Sequence, residues 1–181
     1  MGNTKSNRSS LEMKRLEEIT GIPRQTFIDM HENIKRKSGT EGGTVLVSRA
    51  DARHEINQTG VGYNNQKQVD AAFGFFEENG NFTTEELFSI IVMLAETMDG
   101  VNRLSYVVDT HNPKGADSEN VSRKYGQRIL ECITEFYGIK NADKPEHVWV
   151  ALCGGTDKAK VTREHFVKYV TSTDPYQDFL I

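Results

Sequence analysis

The sequence predicts an all-α protein: four helix-loop-helix units in two paired lobes, with short two-residue β bridges joining the loops. Three observations predict it. An apolar residue followed at once by a hydroxyl residue stands before a helical pattern at Val47-Ser48, Phe82-Thr83, Val121-Ser122 and Val161-Thr162. The hydroxyl residues are 35, 39 and 40 positions apart, the period of a tandem array whose units bury their apolar faces on one another. The flanking segments carry apolar residues at helical spacing, as in Leu87, Ile90, Ile91 and Leu94, or Ile129, Leu130, Ile133 and Phe136.

The elements follow in order. Ser10 can cap a helix running to about Thr20, stopped by Gly21; Pro23 suits the first turn of a second helix to about Lys37. Ser38 to Thr44 is Gly-rich and reads as loop, Val45 to Val47 as extended chain, and Ser48 caps a helix to about Ile56. Asn57 to Asn65 is a connector. Ala71 to Ala95 holds an apolar helix closed by Phe73, Phe75 and Phe76, a short polar turn, and a second helix capped by Thr83 or Thr84 with Glu85 and Glu86 in its first turn. A bend near Met98 to Gly100 leads to a helix ending at Asp109, and the polar stretch Thr110 to Asn120, with Pro113 and Gly115, is irregular. Ser122 caps a helix to about Tyr137. Pro145 opens one ending at Gly154-Gly155, Thr162 caps another, and Asp174-Pro175 begins a last short one. Residues 1–22 form an arm and first helix, 23–98 the first pair of units, and 99–181 the second pair with a C-terminal helix.

Composition excludes several functions. The apolar stretch Phe88 to Ala95 falls far short of the roughly 18 residues of a membrane span. A net charge of -4 argues against nucleic acid, whose binders present a basic surface. Cys132 and Cys153 lack metal or disulfide spacing and read as reduced, buried thiols in a cytosolic protein. His31, His54, His147 and His165 fall on separate helices and His111 in a loop. Gly154-Gly155-Thr156 has no phosphate-cradling lysine, so no catalytic residue is expected and the chain is not read as an enzyme. Met1-Gly2-Asn3-Thr4-Lys5-Ser6 fits N-myristoylation at Gly2. One acyl chain holds a membrane only reversibly, and Lys5, Arg8, Lys14 and Arg15 offer a modest basic second signal. The expected location is cytoplasmic, peripheral to the inner leaflet.

Helix-loop-helix units at this spacing invite comparison with the twelve-residue calcium loop of the EF-hand, which needs oxygens at positions 1, 3, 5, 9 and 12, Gly at 6 and a bidentate Glu at 12. The first loop, Thr40 to Asp51, puts Val45 at the glycine position. The second keeps Gly80 and Glu86 but is about two residues short. The third begins with Asp109, His111 and Asn112, yet carries extra residues, Pro113 among them, and ends at Tyr125. The fourth, Gly154 to His165, places Lys158 inside the cage. Calcium is therefore not expected as a cofactor, and Asp109, Asn112 and Asp117 are the remaining candidate oxygen ligands.

With the Gly2 motif, the helix pair Leu11 to Lys37, the four units and the tail Thr171 to Pro175, the chain resembles the neuronal calcium sensor family of EF-hand proteins, relatives of calcineurin B and the potassium-channel-interacting proteins. It departs from them at Ile34 to Gly39, where the family has a Cys-Pro pair. The resemblance implies a membrane-tethered adaptor or regulatory subunit that takes an amphipathic helix of a protein target in an apolar groove. Candidate groove residues are Phe27, Met30, Phe73, Phe76, Phe88, Ile91, Val92, Met93, Tyr106 and Val107. Without calcium ligands, the groove is expected to be constitutively open or controlled by target, lipid or modification. The other reading is a calcium sensor or buffer with unconventional loops.

Overall fold

A computed structural model describes residues 3–38, 40–41, 44–61, 66–77, 80–95, 99–111 and 119–177. The described chain is mostly helical, with two small sheets, and forms two compact units, Met1–Met98 and Asp99–Ile181.

The first unit opens with α1 (Asn3–Thr20), which starts well ahead of the expected cap at Ser10 because no Gly or Pro interrupts that stretch. Three residues later comes α2 (Arg24–Lys37); Pro23 precedes it without a side-chain cap, and the Arg24 N–H instead donates to Glu17 Oε1 of α1 at 3.1 Å. The Gly-rich stretch read as loop contains a short strand, β1 (Thr40–Glu41), which pairs with β2 (Thr44–Ser48). A two-residue strand has no periodicity for a sequence to display. Ser48 caps α3 (Arg49–Thr59), its Oγ accepting from Asp51 N–H at 3.1 Å, and Gly60 closes the helix in the left-handed conformation, past the expected end at Ile56. Then follow α4 (Gln66–Phe76), β3 (Asn81–Thr83) and α5 (Thr84–Leu94). The structure selects Thr83 over Thr84 as cap: Thr83 Oγ1 accepts from Glu86 N–H at 3.2 Å, and Thr83 N–H donates to Glu86 Oε2 at 2.8 Å.

In the second unit α6 (Gly100–His111) runs two residues past Asp109, followed by β4 (Asn120–Ser122), α7 (Arg123–Tyr137), α8 (Pro145–Leu152), β5 (Lys160–Thr162) and α9 (Arg163–Thr171). Ser122 and Thr162 cap α7 and α9 as expected, Thr162 Oγ1 accepting from His165 N–H at 3.2 Å. The last helix was expected to begin at Asp174-Pro175; residues 174–176 form a turn instead, and 178–181 lie outside the described residues.

The apolar residues before the caps face each other as expected: Val47 opposite Phe82 and Val121 opposite Val161, both antiparallel. Each junction is a three-pair ladder, longer than the two-residue bridge anticipated, because the residues on either side join the pairing.

Packing follows the helix faces. In the first unit α5 is buried continuously from Leu87 to Leu94, so it is a core helix with no solvent face, and it packs against α1, α4, β2 and β3. Phe27 and Phe88 meet edge to face at 5.5 Å, and Phe73 and Phe82 lie 5.0 Å apart. In the second unit Trp149 is fully buried, its Nε1–H donating to Lys158 O at 2.9 Å. It presses on Gly126 of α7, where a Cβ would come within 2.8 Å of the indole Cε3, nearer still to Cζ3, and within 3.1 Å of Phe166.

Candidate functional site

The loop pairs and the apolar faces beside them are the two places where the sequence puts function. At the loops, each residue at the position of the closing calcium ligand can be followed to its partners. Asp51 receives the Ser48 hydroxyl proton at 2.6 Å and has Lys37 Nζ at 3.9 Å; the same ammonium lies 3.8 Å from the buried carboxylate of Glu55. Glu86 is taken up by the capping box, the reason a glutamate three residues after Thr83 belongs there without any metal. Tyr125 supplies its backbone N–H to Ser122 Oγ at 3.5 Å. His165 donates from Nε2 to Leu152 O at 2.9 Å, which ties the start of α9 to the end of α8.

Four further carboxylates near the loops are met by arginines. Arg163 forks onto Asp109: Nε–H donates to Oδ1, Nη2–H donates to Oδ2 at 2.9 Å, and Nη2 also reaches Ser105 O at 3.5 Å. The Asp109 side chain is 11% exposed and that of Arg163 29%, so this pair is largely shielded from water. Arg49 pairs with Glu77, Arg53 with Asp70, and Arg123 with Asp157. Arg49 and Arg53 both lie over the Phe73 ring, at 5.5 and 5.2 Å from its centroid.

Of the expected oxygen ligands, Asp109 therefore sits in the last turn of α6 under an arginine, while Asn112 and Asp117 lie outside the described residues. Among those described, no three His, Cys, Asp or Glu side chains converge as a ligand set. A depression of about 340 Å³ beside the second loop pair is lined by Ser122, Arg123, Lys124, Asp157 and Ala159, with no large apolar side chain among them.

The ten groove candidates, Phe27, Met30, Phe73, Phe76, Phe88, Ile91, Val92, Met93, Tyr106 and Val107, are all buried, none more than 4% exposed. All ten side chains are covered in this conformation. An apolar stripe at helical spacing looks the same in a sequence whether a core or a partner covers it. The exposed large apolar side chains among the described residues, Leu11, Ile28 and Val101, are single residues on three different helices. Both cysteines are free and buried, and burial, with Glu135 and Glu131 adding to it, pushes the Cys132 thiol far above its ordinary range. No helix of the described residues is long and apolar enough to cross a membrane, and Gly2 lies outside them.

No family model and no curated protein matches the chain.

Proposed function

We propose that the chain is a calcium-independent EF-hand adaptor or regulatory subunit, acylated at Gly2, peripheral to a membrane, and able to bind a helical segment of a target protein. The observation that carries the reading is the treatment of the loop carboxylates. Asp109, Glu77, Asp157 and Asp51 are each opposed by a basic side chain of the same unit, and Glu86 by a backbone N–H, in loops that otherwise keep the paired geometry Val47–Phe82 and Val121–Val161. A calcium ion needs several convergent, uncommitted oxygens.

Burial of the ten candidates supports the controlled form of the groove over the permanently open one. Each large apolar side chain exposed on opening costs about 1.5–3 kcal/mol, so a target helix would have to replace those contacts as it enters. A ligand with no differential affinity for the open state could not open it.

Two measurements test the proposal. Calorimetric titration of Ca²⁺ into chelator-treated protein is expected to give no heat at micromolar concentration; a binding isotherm with a conformational change would establish the calcium-sensor reading instead. Flotation with anionic vesicles after co-expression with an N-myristoyltransferase is expected to carry the native chain and lose Gly2→Ala, and equal flotation of both would remove the tether.

A further inference from the structure

We infer that arginine side chains act as resident cations of the paired loops, occupying the electrostatic role of a bound metal ion and coupling each loop to its partner. The inference deepens the calcium-independent reading by naming what stands in for the ion.

It rests on a recurrence. In three of the four units the residue directly after the hydroxyl cap is arginine: Ser48-Arg49, Ser122-Arg123 and Thr162-Arg163. Each is the first residue of its helix, one step beyond the ladder that joins the two segments. From there each side chain reaches a carboxylate of the opposite segment: Arg49 to Glu77, Arg123 to Asp157, and Arg163 to Asp109. In the second unit the exchange is reciprocal, and the main chain joins it. Arg123 N–H donates to Ala159 O and Arg163 N–H to Glu119 O, both at 2.9 Å, extending the β4–β5 pairing at each end. In the first unit the fourth position is Thr84, and the end of α2 presents Lys37 to Asp51 and Glu55.

The chemistry suits the role. A guanidinium keeps its charge at all physiological pH values, and its fork matches both carboxylate oxygens, as Arg163 does on Asp109. Unlike a metal ion it is held covalently at the site, so its presence there does not depend on the calcium concentration. A metal ion arriving at Asp109 would first have to displace the arginine.

Burial grades the three pairs. Side-chain exposures are 29% and 11% for Arg163–Asp109, 49% and 21% for Arg49–Glu77, and 50% and 54% for Arg123–Asp157. Water screens the last most strongly, so it should contribute least.

Thermal unfolding of the full chain, followed by circular dichroism in millimolar Ca²⁺ and in chelator, tests this. Arg163→Gln is expected to lower Tm by roughly 5–10 °C, Arg49→Gln by about 2 °C and Arg123→Gln by less than about 1 °C. Asp109→Asn should cost about as much as Arg163→Gln, and the double variant no more than the worse single one, because only one interaction is lost. Arg163→Lys, which keeps the charge but loses the fork, should fall between; it replaces Arg163→Gln in the cycle if that variant does not fold. Native Tm should be the same with Ca²⁺ and with chelator. An unchanged Tm in Arg163→Gln, fully additive losses at Arg163 and Asp109, or a native Tm raised by Ca²⁺ would each overturn the inference. An unchanged Tm in Arg163→Gln or fully additive losses would overturn this inference alone and leave the calcium-independent adaptor reading standing, whereas a native Tm raised by Ca²⁺ would overturn both.

Discussion

The loop pair of the first unit is held by three strands, a capping box at Thr83 and a lysine between two acids of α3; that of the second has two strands and a reciprocal exchange of arginines. The cores differ in the same sense. The first buries α5 continuously from Leu87 to Leu94, whereas in the second the Trp149 ring sits closely on Gly126. The joint between helix, strand and helix is therefore kept while its supporting chemistry changes. Ion pairs brace both units, Arg49–Glu77, Arg53–Asp70 and Lys37 with Asp51 and Glu55 in the first, Arg123–Asp157 and Arg163–Asp109 in the second. What differs is that the second places its arginines reciprocally across one ladder.

That contrast can be broken at either core. Phe88→Ala removes the edge-to-face partner of Phe27 from a fully buried site and should cost about 3–5 kcal/mol, read by urea unfolding of the helical signal. The single Trp149 reports the second unit, and its fluorescence transition should move less than the helical one. A smaller loss, under about 1 kcal/mol, would mean that α5 is not the centre of the first core. Gly126→Ala should cost about 2–3 kcal/mol and shift the Trp149 emission, because the new methyl group has no room beside the indole. An unshifted spectrum with native stability would show that the helices part easily there.

Smaller effects sharpen the comparison at the caps. Thr83→Ala removes an acceptor at 3.2 Å and should cost about 1 kcal/mol, and Ser122→Ala, whose bond is 3.5 Å long, about 0.5 kcal/mol. The reverse order would place the stronger cap in the second unit. Least visible at neutral pH is Cys132. Its folded-state pKa lies above the unfolded value, so the folded chain keeps a proton that the unfolded chain releases. Its contribution is complete below the ordinary thiol range and falls as pH rises through and beyond it. Cys132 should resist alkylation at pH 8 until denaturant is added, and rapid labelling of the native chain would show that α7 opens.

The caps were legible before any coordinates. Ser48, Ser122 and Thr162 each follow an apolar residue and precede a helical pattern, and their hydroxyls bond the N–H groups that a helix start leaves unpaired. Thr83 and Thr84 could not be separated, since either has the hydroxyl; Glu86 three residues on favours Thr83 and was the signal available. The strand Thr40–Glu41 left no trace because two residues cannot alternate. The arginine after the cap was in plain view three times, but its meaning depends on carboxylates 28, 34 and 54 residues away.

Sequence by itself determined where α3, α7 and α9 begin and which residues lie on apolar faces, because caps and periodicity act within one helical turn. Tertiary structure alone decided that the ten candidate side chains are buried in this conformation and that Asp109 pairs with Arg163. Burial and ion pairing depend on which segments fold against each other, and no local pattern encodes that choice.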